Sequence, residues 1–302
     1  MLEISAVIIT WNEERRLPRA LESLSVVPAV VDEVLVVDSG STDRTREIAE
    51  SAGARVIAHP WEGYARQKNF GASQAKHPWI LSLDADEALS PELAAELRQI
   101  KEAGPGDAAG FRMPRLARFR GRWIRHSGWY PDCKLRLYDR RRGRWVGDYV
   151  HERVEVDGPV RELKGDLQHF TGDSYDQLFR TMDRYTTLAA QESFDRRERW
   201  IVPKMVAGPP WKFLETYFFR QGFRDGFPGL VIATMAGRYV FLRYAKLWQM
   251  ARGKGTPDRA ATVSERSGHA SGQTEQGTEV AGRDEPASGP AGSGERRAHP
   301  PH

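Results

Sequence analysis

Three acidic segments each follow directly on an apolar run, and their residue types suit metal and nucleotide chemistry. They are Thr-Trp-Asn-Glu at 10–13, Asp-Ser-Gly-Ser-Thr-Asp at 38–43 and Asp-Ala-Asp-Glu at 84–87. Short, continuous β-branched runs are typical of strands buried on both faces, and in open α/β sheets ligands bind outside the carboxyl ends of such strands. We therefore expect the three segments to converge on one site.

The third segment carries two carboxylates, Asp84 and Asp86, one residue apart at the end of the apolar run 79–83. Both can reach a hard divalent cation, directly or through water, and Mg²⁺ or Mn²⁺ held in this way keeps open positions that phosphate oxygens fill. The pair therefore indicates a Mg²⁺ or Mn²⁺ site for a diphosphate. The alternative is that a carboxylate caps a turn or helix, which suits Glu87 better than either aspartate.

The other two segments offer polar groups for a nucleoside. Asp38 can accept a hydrogen bond from a base N–H or a ribose hydroxyl, whereas Thr10 and Asn12 can orient the base while Glu13 faces the ribose. Trp11 suits packing as well as stacking.

Further polar residues near these segments have two interpretations each. Ser41, Thr42 and Asp43 either contribute to the site or only cap the next helix. Lys68, on a helix before the third segment, either offsets phosphate charge or belongs to a solvated helix face.

Composition limits the organisation of the chain. With 302 residues and a 40% hydrophobic fraction it can form one large domain with an appendage. Residues 253–302 contain almost no large apolar side chain and cannot offset the entropy of ordering, so we expect a disordered tail. The single cysteine, Cys133, excludes an internal disulfide and fits a reducing compartment. The first residues lack the basic start of a signal peptide, so we expect a cytoplasmic protein.

The net charge of +4 conceals a strongly basic segment between residues 112 and 144. Its cations include Arg115, Arg118, Arg120, Arg122, Arg125, Lys134, Arg136, Arg140, Arg141 and Arg142. Such a segment suits an anionic partner, whether nucleic acid, phosphorylated glycan or acidic lipid.

Strand and helix patterns alternate over the first hundred residues, which predicts an α/β fold with a doubly wound, parallel sheet. The expected strands cover 3–10, 32–37, 55–58 and 79–83, and the expected helices cover 17–24, 42–52, 64–75 and 91–103, the last capped by Ser90. Strand-like pieces at 110–115, 134–138 and 151–156 predict a small antiparallel addition.

A helical C-terminal region follows, beginning with a helix at 175–195. Residues 200–250 are rich in aromatic side chains but are interrupted by arginines and lysines, so no apolar span of about 20 residues could cross a bilayer. Aromatic residues interleaved with basic ones favour helices lying on a membrane surface. The alternative is a helical hairpin that packs on the core.

The ordered combination of motifs resembles the family 2 inverting glycosyltransferases with the GT-A fold. The resemblance is carried by residues 10–13, 36–43, 67–69 with Gly71, and 83–87. It is closest to the branch that adds glucose or heptose-linked sugars to the lipopolysaccharide core.

This resemblance covers residues 3–160 and implies how the chain is organised. We expect a nucleotide-sugar-binding and catalytic domain at 1–170, a helical membrane-surface region at 171–252, and the tail at 253–302.

The resemblance also implies roles for individual residues. Thr10, Glu13 and Asp38 would hold the uridine of a UDP-sugar, and Asp86, helped by Asp84, would hold the metal on its diphosphate. The remaining donor-side candidates are Asn12, Ser41, Lys68 and Arg136.

An inverting transfer needs a carboxylate that removes the proton of the acceptor hydroxyl. The family usually supplies it from a Glu-Asp pair after the acceptor-side strands, and this chain has none there. Glu152 is our first candidate for the base and Asp132 our second. For His151 four roles stay open: a metal ligand, a contact of the diphosphate, a contact of the acceptor, or a purely structural residue.

Aromatic and histidine residues supply further candidates on the acceptor side. His126, Trp129 and Tyr130 fall in an expected acceptor loop, where ring faces would pack on sugars. His169 is distinguished only as a polar residue at a possible strand end.

The function expected from these observations is metal-dependent transfer of a sugar, with glucose favoured, from a UDP-sugar to a lipopolysaccharide core or other lipid-linked acceptor. The enzyme would work at the inner face of the cell membrane, without a nucleic-acid partner. Two alternatives remain open, a non-enzymatic nucleic-acid-binding protein that uses the basic segment and a nucleotidyltransferase built on the same sheet.

Overall fold

The structure is a computed structural model that describes residues 1–25, 29–147, 152–171 and 175–253. Its first half alternates strands and helices as expected. The strands are β1 (Ile4–Thr10), β2 (Glu33–Asp38), β3 (Arg55–Ala58), β4 (Trp79–Asp84) and β5 (Glu87–Leu89). The helices are α1 (Leu17–Leu24), α2 (Thr45–Ser51), α3 (Tyr64–Gln74) and α4 (Pro91–Ala103).

Strands β3, β2, β1 and β4 pair in this order, and all of these pairs are parallel. In the register, Thr10 lies opposite Asp38, and Ile9 lies opposite Asp84. The carboxyl ends of β1, β2 and β4 are therefore aligned at one edge of the sheet, which confirms the expected convergence of the acidic segments.

The core lies on both faces of this sheet. Alternating residues of β1 point to opposite sides, so that Ile4 and Ile8 pack in one cluster with α1 and α4, while Val7 packs in another with α3. Helix α3 approaches closely at Gly71, where an added Cβ would lie 2.5 Å from Val7 Cγ1. A side chain at this position would push the helix away from the sheet.

Helix α2 begins later than the sequence pattern predicts. The Asp43 carboxylate accepts a hydrogen bond from the Thr45 amide at 3.0 Å. This local bond holds residues 43–45 in a turn, so the regular helix begins only at Thr45. The expected cap on α4 is confirmed, because Ser90 Oγ accepts from the Leu93 amide at 3.1 Å.

The second half extends the sheet with antiparallel and parallel strands. These are β6 (Gly110–Phe119), β7 (Arg122–Trp123), β8 (Asp132–Asp139), β9 (Gly143–Val146), β10 (Arg153–Val156), β11 (Val160–Glu162) and β12 (Leu167–Phe170). Strand β8 is inserted antiparallel between β4 and β6, whereas β12 runs parallel to β6 and antiparallel to β5. Strands β9 and β10 form a separate hairpin. The predicted GT-A class, a mostly parallel sheet with antiparallel additions, is confirmed.

The C-terminal region is helical, as expected. It comprises α5 (Tyr175–Asp195), α6 (Ile201–Leu214), a π-helical turn (Glu215–Phe219), a 3₁₀ turn (Gly222–Asp225) and α7 (Phe227–Ala251). None of the helices in the described ranges has the length and hydropathy needed to span a bilayer. The domain boundaries and the location at a membrane surface stay predictions, and residues 254–302 of the expected tail lie outside the described residues.

Helices α6 and α7 pack as a close hairpin. An added Cβ at Gly208 would lie 2.8 Å from Val240 Cγ1, and one at Gly237 would lie 2.9 Å from the Pro209 carbonyl oxygen. Small residues thus allow the two backbones to approach each other. The packing expected of a core hairpin is therefore present, although much of the outer side of this region remains exposed and apolar.

Candidate active site

The Asp38 carboxylate organises the turn after β2. Thr10 Oγ1 donates to Asp38 Oδ2 at 3.1 Å, and the amides of Gly40 and Ser41 donate to Asp38 Oδ1 at 3.1 and 3.0 Å. The Ser41 hydroxyl also donates to Asp38 Oδ2. Asp38 is fully buried, and its two oxygens accept hydrogen bonds from groups of the protein itself. Its expected direct contact with uridine stays a prediction, as does that of Thr10.

The loops after β1 and β2 are joined into one platform. The Asn12 amide donates to Ser41 Oγ at 2.9 Å, and the Thr42 amide donates to Asn12 Oδ1 at 2.8 Å. The Glu13 amide donates to Thr45 Oγ1 at 2.7 Å. Ser41 and Thr42 therefore brace the first loop, which is more than the capping role considered for them from the sequence.

Glu13 and Asp86 bring negative charge to the same part of this edge. Burial raises the pKa of Glu13, and the charge of Asp86 raises it further. Arg16, whose Nη1 lies 3.2 Å from Glu13 Oε2, offsets part of this increase. Asp86 Oδ2 lies 3.3 Å from His169 Nε2. His169 is located on β12, opposite Glu87 of β5.

Asp86 and His169 form a donor set that fits a divalent cation. Mg²⁺ and Mn²⁺ accept carboxylate oxygens, Mn²⁺ also accepts imidazole, and such ions usually keep positions for water and substrate phosphates. Within the described ranges no cluster of three or more His, Cys, Asp or Glu side chains could hold a metal ion. A cation at Asp86 and His169 would thus take its other ligands from a diphosphate and water. The expected ligand His151 lies outside the described residues.

Asp84 has a different environment from Asp86, because a cation faces each of its oxygens. Lys68 Nζ lies 2.8 Å from Oδ1, and Arg136 Nη2 lies 2.6 Å from Oδ2. Burial acts to raise the pKa of Asp84, but Arg136 and Lys68 outweigh it and hold the pKa well below its ordinary value. Metal binding by Asp84 stays a prediction, since a metal ion would have to displace one of these two contacts.

Arg136 and Lys68 lie beneath the open edge, at 4% and 2% exposure. Arg136 Nη2 also lies 2.6 Å from Glu87 Oε1, and Glu87 accepts the Asp84 amide at 3.1 Å. The Trp145 ring is flanked by both cations, with Lys68 Nζ 4.2 Å and Arg136 Cζ 5.5 Å from its centroid. Contact of either cation with a diphosphate stays a prediction, because each is already paired with acidic side chains of the protein.

Glu152 lies at the same cluster. One of its oxygens is 3.8 Å from Lys68 Nζ, and its side chain is 22% exposed. Burial, together with the charges of Glu152 and Asp84, raises the pKa of the neighbouring Tyr64 hydroxyl to about 12. Glu152 is therefore linked to Asp84 through Lys68, and its side chain is partly open to solvent.

Asp132, the second candidate for the base, is held by two cations. Arg115 Nη2 lies 2.8 Å and Lys134 Nζ 2.9 Å from its oxygens. Burial acts to raise the pKa of Asp132, but Lys134 and Arg115 outweigh it and lower the pKa. A carboxylate with a lowered pKa is a poor proton acceptor, so the geometry favours Glu152 over Asp132.

The expected acceptor loop is fixed from several sides. Tyr130 donates to Asp166 at 2.8 Å, and His126 Nδ1 lies 3.0 Å from Asp225 Oδ1. The Trp129 ring packs on Phe119 at 5.8 Å. The sequence did not indicate Asp166 or Asp225 as partners of this loop, because they come from later parts of the chain.

Comparison with known proteins identifies clear relatives. A family model described as Glycosyl transferase family 2 matches residues 5–154. An uncharacterized glycosyltransferase of Rickettsia typhi is 34% identical over 262 residues, which is 83% of this chain and 88% of that protein. The lipopolysaccharide core biosynthesis glycosyltransferase LpsC of Rhizobium meliloti is 33% identical over 85% of this chain and 96% of its own length.

Among solved structures, similarity extends to glucosyl-3-phosphoglycerate synthase from Mycobacterium tuberculosis in complex with Mn²⁺, UDP and glucosyl-3-phosphoglycerate. That structure is 25% identical, with 40% of this chain and 45% of that chain covered and a TM-score of 0.31.

Proposed function

The chain belongs to glycosyltransferase family 2, and from this premise we propose that it transfers a sugar, with glucose favoured, from a UDP-sugar to the lipopolysaccharide core or another lipid-linked glycan. The reaction inverts the anomeric carbon, depends on Mg²⁺ or Mn²⁺, and takes place at the inner face of the cell membrane. The proposed acceptor is supported by the relative LpsC, whose name assigns it to lipopolysaccharide core biosynthesis.

Family membership also decides between the alternatives left open by the sequence. The relatives that match most of the chain are named glycosyltransferases, so neither a non-enzymatic nucleic-acid-binding protein nor a nucleotidyltransferase is retained.

The proposed donor site rests on one observation. The polar ends of strands β1, β2 and β4 are aligned at one edge of the sheet. Thr10 lies opposite Asp38, and Asp84 pairs with the residue just before Thr10. Asp86 follows within the next turn, beside His169. A nucleotide bound across the first two ends would direct its diphosphate towards Asp86, as ligands of open α/β sheets do.

Asp86 and His169 would hold the cation, which when bound stabilises negative charge on the departing diphosphate. Asp84 keeps Lys68 and Arg136 in place beneath the site through its two ion pairs. The platform formed by Asn12 and Ser41 fixes the loops against which the nucleoside would lie.

Glu152 is the proposed base. Its carboxylate takes the proton of the acceptor hydroxyl while that oxygen bonds to the anomeric carbon, and the bond from this carbon to UDP breaks on the opposite face. The proton remains on Glu152 and the negative charge leaves with UDP. Attack opposite the leaving group accounts for inversion.

Thermal denaturation with UDP and Mn²⁺ tests the donor site. We expect the pair to raise the Tm of the wild type and of Asp107→Asn, a matched control at an exposed ion pair with Arg161. Asp86→Asn should lose this stabilisation, because a ligand that no longer binds the native state no longer stabilises it. Equal stabilisation of Asp86→Asn, or none of the wild type, would contradict the proposal.

Mass spectrometry of a lipopolysaccharide core glycolipid, incubated with the enzyme and a panel of UDP-sugars, tests the transfer itself. The expected product gains the mass of one hexose when UDP-glucose is the donor, and the NMR coupling constant of its new anomeric proton should show a configuration inverted relative to the donor. No gain of mass, or a retained configuration, would contradict the proposal.

A further inference from the structure

The turn between α6 and α7 exposes an unusual number of large aromatic side chains. We call these residues the aromatic tip: Trp211 (59% exposed), Phe218 (53%), Phe219 (70%), Phe223 (49%) and Phe227 (70%). Phenylalanine is normally buried, and contiguous exposed apolar patches mark interaction sites.

Ring contacts join four of the five residues of the aromatic tip into two groups. Phe219 lies 5.8 Å from Trp211 between centroids, whereas Tyr217 lies 5.1 Å from Phe218 and 6.3 Å from Phe223. Exposed aliphatic side chains extend the apolar surface of the same helices at Val206, Leu214 and Leu230.

The charge around the aromatic tip is mainly positive, because Glu215, the acid next to its rings, is already paired with Lys212 and Arg220. Between residues 216 and 253, Asp225 is the sole acidic residue of the sequence, and it is only 2% exposed. Within this stretch, the basic residues Arg220 and Arg224 lie in the turn itself, and the others lie farther along α7 and just past its end.

The basic segment of the catalytic domain adds to this charge. Arg122 Nη2 donates to the Arg224 carbonyl at 3.0 Å, and Arg122 Nη1 would lie 3.1 Å from a Cβ added at Gly226. Arg122 is thus located directly beside the turn, and Arg125 is exposed on the following loop. The surface is apolar at its centre and cationic around it.

We propose that the aromatic tip is a docking surface for an anionic lipid bilayer, with its phenylalanines in the headgroup region and the surrounding arginines on lipid phosphates. Aromatic rings beside cations are suited to this region, and each basic residue near an anionic membrane contributes to binding. The exposed aliphatic residues favour acyl chains over stacked nucleobases. This inference rests on the proposed function in one respect, the lipid-linked acceptor. An enzyme docked on the bilayer would lie beside such an acceptor.

Asp225 couples this surface to the acceptor loop. Its carboxylate accepts from the amides of Arg125 and His126 at 3.2 and 3.1 Å, and from the Ser127 hydroxyl at 2.9 Å. The buried acid therefore ties residues 125–127 to the 3₁₀ turn that carries Phe223. Docking of the aromatic tip positions this loop next to the lipid headgroups.

Vesicle flotation tests the docking surface. We expect the full chain to float with vesicles of phosphatidylglycerol and phosphatidylcholine, but not with phosphatidylcholine alone. The double variant Phe219→Ser, Phe227→Ser should bind the anionic vesicles about 100-fold more weakly, at about tenfold for each ring removed from the interface. Phe241→Ser is the matched control, because Phe241 is 47% exposed on α7 outside the aromatic tip, and it should bind like the wild type.

Three outcomes would overturn the docking surface. These are unchanged flotation of the double variant, an equal loss for Phe241→Ser, and a wild type that ignores vesicles while it self-associates or binds single-stranded RNA.

The UDP and Mn²⁺ melting shift, measured on the same samples, separates this inference from the proposed function. The shift should be the same in all three proteins. Vesicle binding without any shift would contradict only the donor site, and a shift without vesicle binding would contradict only the docking surface.

Discussion

Asp84 and Asp86 are separated by one residue, yet their surroundings give them different capacities. Asp84 is held between Lys68 and Arg136, whereas Asp86 faces His169. A carboxylate already neutralised from two sides has little to offer a metal ion, whereas Asp86 can replace one weak contact with a stronger ligand bond. We therefore expect Asp84 to keep its two ion pairs and Asp86 to be the aspartate that binds the metal ion.

The first prediction concerns His169. Replacement by Ala should weaken Mn²⁺ binding in the presence of UDP by about tenfold or more, since the cation would lose one of two protein ligands. Titration of the UDP-dependent Tm shift with Mn²⁺ measures this affinity. His77→Ala serves as the control, because His77 lies 3.5 Å from Glu3 at the start of the chain. An unchanged Mn²⁺ dependence in His169→Ala would exclude His169 as a ligand.

The second prediction separates the two candidate bases. Glu152→Gln should keep the UDP and Mn²⁺ melting shift but lose transfer by roughly 10²- to 10⁴-fold, the usual contribution of a general base. Asp132→Asn should retain most of the activity, because Asp132 is committed to Arg115 and Lys134. Initial rates of glycolipid formation give the comparison, and the reverse order of effects would assign the base to Asp132.

For individual residues, the sequence indicates the acidic side chains of the site but not the side chains that contact them. Asp38, Asp84 and Asp86 can be recognised because each follows an apolar run, a local pattern. His169 cannot, because its role depends on β12 being placed beside β5, a long-range pairing without a local signal. Likewise, the sequence shows Asp132 as a free carboxylate, and only the fold shows that Arg115 reaches it.

At the scale of elements, the three C-terminal helices meet at one partly exposed acid. Glu198, between α5 and α6, accepts from Lys204 at 2.7 Å and from Tyr244 of α7 at 2.8 Å, and Arg243 Nη2 lies 3.1 Å away. Burial acts to raise the pKa of Glu198, but the hydrogen bonds from Lys204 and Tyr244 outweigh it and lower the pKa to about 2.

The third prediction follows from this pKa. The pKa of Glu198 falls on folding from its ordinary value of 4.5. The ionised carboxylate therefore stabilises the native state at pH values above 4.5, and this contribution is lost as the pH falls towards 2. Glu198→Gln should therefore lower the Tm clearly at about pH 7 and less at about pH 3.5. Glu192→Gln, at an exposed i,i+4 pair with Arg196, should have little effect at either pH. A deficit that stays constant with pH would rule out the ionised carboxylate as the cause.

The elements themselves were predictable to the extent that they carry a long periodic pattern. Helices α1 and α4 have the expected bounds, because amphipathic spacing defines both of them locally and Ser90 caps α4. The short strands β5, β7 and β11 were not predicted, since two or three residues show no periodicity. The insertion of β8 between β4 and β6 could not be predicted either, because strand order depends on packing rather than on local sequence.

At the scale of the whole molecule, a buried carboxylate connects the catalytic sheet with the helical hairpin. Asp225 receives its hydrogen bonds from the loop after β7, and the Ser127 amide donates in turn to the Arg220 carbonyl at 2.9 Å. Phe119 and Ile124 pack with Ile232 of α7 alongside. The two regions therefore share both polar and apolar contacts.

The last prediction tests this connection through Asp225→Asn. The amide keeps the shape of the side chain but has a single acceptor oxygen without a full charge, so it cannot serve all the donors of residues 125–127. Hydrogen–deuterium exchange of these amides should become faster on the order of tenfold. Exchange in β1 and the UDP melting shift should not change, because neither depends on the hairpin.

Asp195→Asn, at the end of α5, provides the control, since Asp195 is exposed and bonds only locally to Gln191. If the aromatic tip binds lipid, anionic vesicles should slow exchange at residues 125–127 in the wild type and in Asp195→Asn, but not in Asp225→Asn. Protection by vesicles in all three proteins would mean that the loop contacts lipid by itself, and the buried acid would then have only a structural role.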